Sequence, residues 1–508
     1  MQVGRFPTIL DALAAHAADR PDALAWVAAG ESITYGALYQ QAQHVARVLA
    51  SRGVGSGTNV GLRLPTSVGF LRALFGVQLT GAATVALNIH VPEARLERLA
   101  AIAGCTTILD EEAMTNLRDA PSSPGRLPAI DPEAIAFLQL TSGTTGEPRA
   151  AMVRHRNIVA CLTATVNAVG PPVAEEMYVS WLPLYHDFGL INFICYPAYF
   201  GIPTHLLLPS LTNLRPWLET VGRVRATSTG GPDFAYRMAT RTVNPASIDL
   251  RSLRRMSCGG EPVRFSTLQA FEERFQVPGL VRPGYGLAEA TLGVCILLPG
   301  EPMRRDPSGA VSCGRPYPGI DVRLESDEGT PCAPGEAGEI VVGGKVVFAG
   351  YYNDPESTRA VLRAGELYTG DIGRFDADGY LYPLARRRAL IKRAGATIAP
   401  REVEEVADRV AGVRLSAAIG CERNDAEQLV VVVEVRPEDA PTDDERQRLA
   451  DRIEEAVGTA LGFAPDDVLL VAPRTIPRTA NGKIRYPALR ALVGEMAAAP
   501  VLFSSAGR

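Results

Sequence analysis

The sequence predicts an α/β protein with a large, multi-lobed N-terminal α/β body and a smaller, mobile α+β C-terminal domain. The length of 508 residues exceeds what a single hydrophobic core usually serves. Apolar runs ending in glycine-rich or polar turns alternate with helical patterns over most of the chain, which is typical of helices covering mostly parallel strands. The pattern changes after about residue 388, so we predict a body over residues 1–388 and a C-terminal domain over residues 389–508.

Composition and charge exclude several classes of protein. With 46% hydrophobic and 21% charged residues the chain can bury a sizeable core, unlike a disordered protein. Fifty-one Lys and Arg residues against 56 Asp and Glu residues give a net charge of -5, which favours neither nucleic acid nor an anionic membrane surface. The eight scattered cysteines form no metal or disulfide pattern, and the N-terminus does not read as a secretory signal. We therefore expect a cytoplasmic protein.

A stretch without Asp, Glu, Lys or Arg, residues 188–214, is long enough to span a bilayer. It is interrupted by two glycines and three prolines, namely Gly189, Gly201, Pro197, Pro203 and Pro209. These helix breakers favour short buried elements over a transmembrane helix.

The C-terminal domain has its own predicted order of elements. We expect a helix over residues 401–410, two strands over 415–437 that turn at 423–426, and a charged helix over 443–457. A strand over 466–473 and a last helix follow, and residues 497–508 are expected to fray.

The first motif with chemical content is TSGTTGEPRA, residues 141–150, directly after the strand-like run AIAFLQL. Its glycines and hydroxyl residues allow backbone N–H groups and hydroxyls to converge on a phosphate. It differs from the common P-loop because the G-x-x-x-x-G-K-[ST] pattern is missing. Taken alone, it could also be a flexible surface turn.

Three further motifs follow in order: PGYGLAEAT (283–291), LYTGDIG (367–373) and PRTANGKIRY (477–486). Together the four motifs resemble the adenylate-forming superfamily, which contains acyl- and aryl-CoA synthetases, amino-acid adenylation domains, luciferases and fatty acyl-AMP ligases. The resemblance covers nearly the whole chain. It implies ATP and Mg²⁺ as cofactors and a phosphopantetheine thiol as the acceptor.

The resemblance also implies roles for individual residues. The phosphate loop is implied at Thr141, Ser142, Gly143, Thr144, Thr145 and Gly146, followed by Arg149 where the family usually has Lys. The adenine turn is implied at Gly259, Gly260, Glu261 and Pro262, with Tyr285 and Gly286 beside the base. Asp371 is implied to bind the ribose hydroxyls, and Arg386 to contact ribose or phosphate. Glu289 resembles the magnesium carboxylate and Lys483 the lysine that enters the site for adenylation. As ordinary alternatives, Glu289 or Asp371 could cap a helix and Lys483 could be solvated.

The chemistry of adenylation makes the same demands. A carboxylate that attacks the α-phosphate of ATP meets another anion, and two unit charges about 4 Å apart repel by about 4 kcal/mol at an effective dielectric of about 20. The Lys483 ammonium and a Mg²⁺ held by Glu289 would offset this repulsion. Because the two residues lie in different predicted domains, we expect the site to be complete only when the domains close.

The middle of the chain is most similar to the fatty acyl-AMP ligases, which transfer the acyl group of the adenylate to an acyl carrier protein. The segments that carry this similarity are WLPLYHDFGLI (181–191), GGPDFAYRM (230–238) and YGLAEATL (285–292). His186, a candidate catalytic residue, lies in the segment that flanks the acyl site in that family. Regions near Phe193, Phe234 and Tyr236 are candidate linings of the acid pocket. Asp187 could instead meet a substrate ammonium, as in amino-acid adenylation domains.

Two departures from the family leave alternatives open. The segment before TGD lacks the insertion of fatty acyl-AMP ligases, so the acceptor can be a carrier protein or coenzyme A. Ala389 occupies the usual hinge position, within a basic cluster that is either solvated or binds phosphate, pantetheine phosphate or an acidic carrier protein. The rival functions are an amino- or aryl-acid ligase and a non-catalytic acyl-nucleotide sensor.

Overall fold

The structure, a computed structural model, describes residues 4–121, 125–142, 148–306, 309–393, 396–423, 426–478, 484–495 and 501–505. The elements of the first part are α1 Ile9–Asp19, β1 Leu24–Ala28, β2 Glu31–Thr34, α2 Tyr35–Ser51, β3 Asn59–Leu62, α3 Val68–Gln78, β4 Ala83–Ala86, α4 Glu93–Ile102, β5 Cys105–Leu109, α5 Glu111–Asp119, β6 Ile135–Ser142, β7 Pro148–Arg154 and α6 His155–Val169.

The central part continues this alternation of strands and helices. Its elements are β8 Tyr178–Ser180, α7 Asp187–Leu190, a π-helix Ile191–Cys195, α8 Tyr196–Phe200, β9 Thr204–Leu206, α9 Leu214–Arg223, β10 Ser228–Gly231, α10 Asp233–Thr242, β11 Arg255–Cys258, α11 Phe265–Phe275, β12 Val281–Gly286, β13 Gly293–Ile296 and β14 Arg315–Pro316. A small lobe follows, with β15 Asp321–Glu325, β16 Ala337–Gly343, α12 Pro355–Val361, β17 Leu362–Arg363, β18 Glu366–Phe375 and β19 Leu381–Arg386.

Three sheets organise these residues. Among the described residues, one sheet has the order β5-β3-β4-β6-β7, and all its neighbours are parallel except β6 and β7. A larger sheet has the order β14-β13-β12-β11-β10-β8-β9-β1-β2, with a parallel centre and antiparallel edges. The small lobe is an antiparallel sheet in which β18 pairs with β16, β17 and β19. The predicted α/β class is confirmed.

The C-terminal domain is a separate α+β unit. Its elements are β20 Ile391–Arg393, β21 Ala396–Ile398, α13 Pro400–Ala407, β22 Leu415–Arg423, β23 Ala426–Glu434, α14 Asp443–Leu461, β24 Asp467–Val471, α15 Tyr486–Glu495 and β25 Val501–Ser504. One core lies between the β22-β23-β24-β25 sheet and helices α13 and α14. Ile391 is the first residue along the chain that belongs to this core. Helix α15 packs through Leu489 and Val493 on the other face. The predicted elements before residue 496 are confirmed.

The expectation that residues 497–508 fray is wrong for the stretch that the structure describes. Val501–Ser504 forms β25, which pairs antiparallel with β24. The Ser504 hydroxyl donates to Asp467 Oδ1 at 2.9 Å, and the Val468 N–H donates to the Ser505 hydroxyl at 2.9 Å. The apolar segment therefore completes a sheet edge.

The stretch 188–214 folds as predicted, into short buried pieces. It contains most of α7, the π-helix, α8 and β9, and helix α8 ends at Gly201, whose φ of 72° is left-handed. Within the described ranges, no helix is both long enough and apolar enough to cross a membrane.

Candidate active site

Three parallel neighbours in the large sheet bring the predicted adenine turn and the aromatic residue to one edge. Strands β10, β11 and β12 are adjacent and parallel, so their carboxyl ends lie side by side. Gly259 and Gly260 follow β11, and Tyr285 lies near the end of β12. A Cβ at position 259 would lie 2.9 Å from the Gly284 carbonyl oxygen, and Gly260 has a φ of 80°. Both positions therefore require glycine.

The remaining residues of the adenine turn fix its position. Glu261 Oε1 accepts a hydrogen bond from the Phe234 N–H, in the first turn of α10, at 2.7 Å. Burial, followed by the nearby Asp233 carboxylate, raises the pKa of Glu261. Pro262 is exposed and leads into α11. Glu261 thus anchors the turn to the start of a helix.

Asp371 lies between two of the predicted nucleotide residues. It is opposite Arg386 in the β18–β19 register, and Arg386 Nε lies 2.7 Å from Asp371 Oδ1. The Tyr285 hydroxyl donates to Asp371 Oδ2 at 2.7 Å. Burial and the Asp371 charge hold the pKa of Tyr285 well above its usual value, so the phenol remains a donor. The contacts of Arg386 with Asp371 are the main reason that its own pKa is raised.

Gly286 follows Tyr285 at an irregularity in the β12–β13 pairing. A Cβ at this position would lie 1.8 Å from the Leu292 carbonyl oxygen. The close approach of the two strands therefore excludes any larger residue and keeps Tyr285 beside Asp371.

Glu289 lies in a single 3₁₀ turn, Ala288–Ala290, that ends in a strained residue. Thr291 is buried with a φ of 69°, which is rare for a β-branched residue. Its hydroxyl donates to the Val346 carbonyl at 2.7 Å, and the Phe348 N–H donates to the Glu289 carbonyl at 2.9 Å. These contacts hold the turn in place.

Tyr351 joins Glu289 to Arg149. Its hydroxyl donates to Glu289 Oε1 at 2.7 Å, and the Arg149 guanidinium carbon lies 5.3 Å from its ring centroid. Arg149 Nε also lies 3.6 Å from Asp354 Oδ2. Burial, followed by the Glu289 carboxylate, raises the pKa of Tyr351. The motifs gave no signal for Tyr351, because it is 62 residues from Glu289 and lies between two motifs.

The residues that flank the predicted phosphate loop lie on paired strands. Thr141 is opposite Arg149, and Ser142 is opposite Pro148, in the antiparallel β6–β7 register. Gly143, Thr144, Thr145 and Gly146 lie outside the described residues. Lys483, in the C-terminal motif, also lies outside them.

His186 directly precedes α7, and its ring centroid lies 5.0 Å from that of Tyr185. The buried Gln139 on β6 donates to the Tyr185 carbonyl at 2.8 Å, which connects this segment to the strand before the predicted phosphate loop. Asp187 Oδ1 accepts from the Phe188 N–H at 2.7 Å. Gln139 was not identified from the sequence, since a polar residue in a buried strand shows no motif.

A cavity lies between the large sheet and the layer formed by α6, the π-helix and α8. Its volume, as space open to the centre of a water-sized molecule, is about 70 Å³, and it opens to solvent. Its lining includes Phe193, one of the candidate linings of the acid pocket, together with Tyr196 and Tyr317. Phe234 and Tyr236 are buried in a different cluster, with Met256 and Cys258 of β11. These two candidate residues therefore do not line this cavity.

The donor set fits a magnesium ion held mainly by a nucleotide. In the part of the chain that the structure describes, no group of three or more His, Cys, Asp or Glu residues could hold a metal ion. Glu289 supplies a single carboxylate, and Tyr351 is its hydrogen-bond partner. Mg²⁺ in nucleotide sites commonly takes one or two carboxylates and completes its octahedron with phosphate oxygens and water.

Comparison with known proteins gives consistent matches. A family model described as AMP-binding enzyme matches residues 13–352. The chain is 30% identical over 570 residues to a ligase from Moorena producens (strain JHB) named for medium-chain fatty acids and the acyl carrier protein, covering 96% of this chain and 95% of that one. It is 30% identical over 515 residues to a putative acyl-CoA synthetase of Caulobacter vibrioides, covering 89% of each. A structure from a study of fatty acyl-adenylate ligases of E. coli and L. pneumophila superposes with a TM-score of 0.86 at 26% identity, covering 98% of this chain and 100% of that one.

Proposed function

The chain belongs to the AMP-binding enzyme family, and we propose that it activates a carboxylic acid with ATP and transfers the acyl group to a phosphopantetheine thiol. The observation that carries the proposal is the position of Asp371, which accepts a hydrogen bond from the Tyr285 hydroxyl and forms an ion pair with Arg386 at the sheet edge. That arrangement supplies an aromatic ring, a carboxylate and a cation to one nucleoside.

In the first half-reaction, an oxygen of the acid attacks the α-phosphorus of ATP. The bond from that phosphorus to the bridging oxygen breaks, and pyrophosphate leaves, which produces the acyl-adenylate. We assign the adenine contacts to Gly259, Gly260 and Tyr285, and the ribose hydroxyls to Asp371. Glu289 would hold the magnesium ion, which when bound neutralises charge on the phosphates.

Lys483 is proposed as the ammonium that contacts both the acid and the α-phosphate, delivered by the C-terminal domain. We propose that this domain begins at residue 389 and rotates between the two half-reactions. In the second half-reaction the thiol sulfur attacks the acyl carbonyl carbon, AMP leaves, and the thiol proton passes to solvent. The requirement for ATP supports a cytoplasmic location.

An acyl carrier protein is the favoured thiol donor. The relative from Moorena producens that is named for this partner supports the assignment, as does the similarity of the central segments to fatty acyl-AMP ligases. Coenzyme A is the second candidate, because the Caulobacter vibrioides relative is named as an acyl-CoA synthetase. The short segment before TGD, α12 and β17, also favours this alternative.

The test is acid-dependent exchange of labelled pyrophosphate into ATP, followed by mass spectrometry of the products with carrier protein and coenzyme A offered in parallel. Exchange together with an acylated carrier protein supports the proposal. Acyl-CoA without acylated carrier protein would transfer the assignment to coenzyme A. ATP binding without exchange for any acid, whether alkyl, aryl or amino, would contradict the catalytic function.

A further inference from the structure

Two arginines line the cavity beneath the proposed nucleotide site. On β11, Arg255 and Ser257 face the cavity, whereas Met256 and Cys258 pack in the cluster on the opposite side of the sheet. Arg282 on β12 is opposite Ser257 in the parallel register and also lines the cavity. Arg282 lies three residues before Tyr285 on the same strand, a distance of about 10 Å at about 3.3 Å per residue.

The charges of the two arginines are balanced differently. Arg255 lies 3.1 Å from Glu176 and donates to the Tyr178 hydroxyl at 2.9 Å, so it already has an anionic partner. Arg282 donates to the Glu301 backbone carbonyl at 2.9 Å. Throughout the described ranges, no carboxylate lies within 4.0 Å of the Arg282 guanidinium. Arg282 is nevertheless only 7% exposed.

Two carboxylates, those of Glu272 and Glu301, act electrostatically on Arg282, and both accept hydrogen bonds from other groups. Glu272 accepts from the backbone N–H groups of Gly279 and Val281, at 2.9 and 2.8 Å. Glu301 accepts from the Tyr380 hydroxyl at 2.7 Å. Both carboxylates favour the charged form of Arg282 from a distance, while burial lowers its pKa. The cavity wall therefore contains one buried cation without a direct counter-ion.

An independent observation points to the same ligand chemistry. Tyr196 lines the cavity and is 3% exposed, and its ring stacks on Tyr178 at a centroid distance of 5.8 Å. Its buried hydroxyl lies beside the Tyr178 hydroxyl, which already accepts a hydrogen bond from Arg255. Burial holds the pKa of Tyr196 well above its usual value, so the hydroxyl remains a donor. Asn192 and Ser228 add polar groups to the same wall.

We propose that this cavity selects a carboxylic acid that carries a second anionic acceptor, a carboxylate, at the end remote from the reacting carboxyl group, and that Arg282 binds it. The inference rests on the proposed function and adds to it the assignment of the acid's tail to this cavity. A purely alkyl tail would leave a buried guanidinium and a buried hydroxyl facing hydrocarbon, which is unfavourable. A remote carboxylate would instead form charge-assisted hydrogen bonds with Arg282 and accept a hydrogen bond from the Tyr196 hydroxyl.

The test compares matched acids of equal length in pyrophosphate exchange: octanoic with suberic acid and decanoic with sebacic acid, with the monomethyl ester of each diacid. For the unchanged enzyme we expect kcat/KM for the diacid to exceed that for the monoacid by about tenfold or more, as one charge-assisted contact predicts. The ester should fall between them, because it retains an acceptor and loses the charge.

Variants separate binding by Arg282 from structural effects. Arg282→Met should remove most of the diacid preference by lowering kcat/KM for the diacid, with the monoacid unaffected or improved. Arg254→Met, at an exposed arginine beside β11, should leave the ratio unchanged. Tyr196→Phe retains the ring and should lower the ratio by a few fold, which keeps the test decisive if Arg282→Met does not fold.

A monoacid preference in the unchanged enzyme, or a ratio that neither variant moves, would overturn this inference while leaving acid activation intact. Exchange with none of the acids would overturn the proposed function as well. The two failures are therefore distinguishable.

Discussion

Arg264 donates from Nε to Asp408 Oδ2 at 2.9 Å, and this ion pair joins the N-terminal part of the chain to the C-terminal domain. The side chains are 8% and 15% exposed. Arg264 also lies 3.2 Å from Asp233, and Asp408 accepts from both the N–H and the hydroxyl of Ser416. Because Arg264 follows the adenine turn by two residues, the pair connects that turn to the C-terminal domain.

Asp408→Asn should destabilise the protein, because it leaves the Arg264 guanidinium buried with a single carboxylate partner. Loss of one partner from a buried ion pair costs on the order of 3 kcal/mol. The measurement is urea unfolding combined with hydrogen exchange at the domain contact. Asp443→Asn, which breaks an exposed pair with Arg446, is the control and should change the free energy of unfolding by less than about 1 kcal/mol. Equal effects of the two changes would contradict the assigned importance of the contact.

Asp371→Asn should raise KM for ATP by about tenfold or more, because one or two hydrogen bonds from the ribose hydroxyls would then have a neutral amide in place of a charged carboxylate as acceptor. Steady-state pyrophosphate exchange over a range of ATP concentrations measures the change. Asp378→Asn, at an exposed carboxylate paired with Arg304 between β18 and β19, provides the control and should leave KM unaltered. An unchanged KM for Asp371→Asn would remove this residue from the nucleotide site.

Glu289→Gln should shift the magnesium concentration that gives half-maximal exchange upward by about tenfold, because the amide supplies a neutral oxygen where the metal prefers a carboxylate. Titration of Mg²⁺ at saturating ATP and acid is the measurement. Tyr351→Phe, which leaves the carboxylate intact but removes its hydrogen bond, should cause a smaller shift. The assignment fails if the magnesium titration of Glu289→Gln matches that of the unchanged enzyme.

Lys483→Ala should reduce adenylate formation by at least about a hundredfold, while thiol transfer from preformed acyl-adenylate remains largely intact. The two half-reactions are assayed separately, by pyrophosphate release and by acylation of the thiol. Lys345→Ala, at an exposed lysine of the N-terminal part, should affect neither. Equal loss of both half-reactions would contradict a role confined to adenylation.

His155, at the start of α6, should make stability depend on pH. Burial lowers its pKa to about 4, from 6.5. The unfolded chain therefore binds a proton more readily between these values, so stability is fully present above pH 6.5 and is lost as the pH falls towards 4. The loss amounts to about 3.5 kcal/mol, at about 1.4 kcal/mol per pKa unit. His155→Gln should flatten the unfolding free energy in this window, and His90→Gln, at an exposed histidine, should not.

Local sequence patterns predicted the elements that carry the proposed site, but not their contacts. The run AIAFLQL predicted β6, and the apolar and charged periodicities predicted α14 and β23, because these elements follow local alternation. The side on which α10 packs was not predictable, since it depends on how the chain crosses the large sheet; Phe234 and Tyr236 consequently lie away from the cavity. Similarly, β25 exists only through pairing with a distant strand.

Contacts between side chains that are far apart in sequence could not be predicted either. Tyr351 meets Glu289, and Tyr285 meets Asp371, across 62 and 86 residues. No periodicity encodes such separations. Arg282 was overlooked for a different reason, because an arginine in a predicted strand resembles a solvent-facing edge residue until its face of the sheet is known.

Strand β12 fixes the spacing between two side chains, because it carries both the ring beside Asp371, the carboxylate proposed to bind ribose, and the guanidinium in the cavity wall. A slip of one residue would turn both side chains to the wrong faces together. Redesign of acid selectivity is therefore best confined to exchanging side chains at unaltered backbone positions, since any insertion in this strand would disturb the nucleotide as much as the acid.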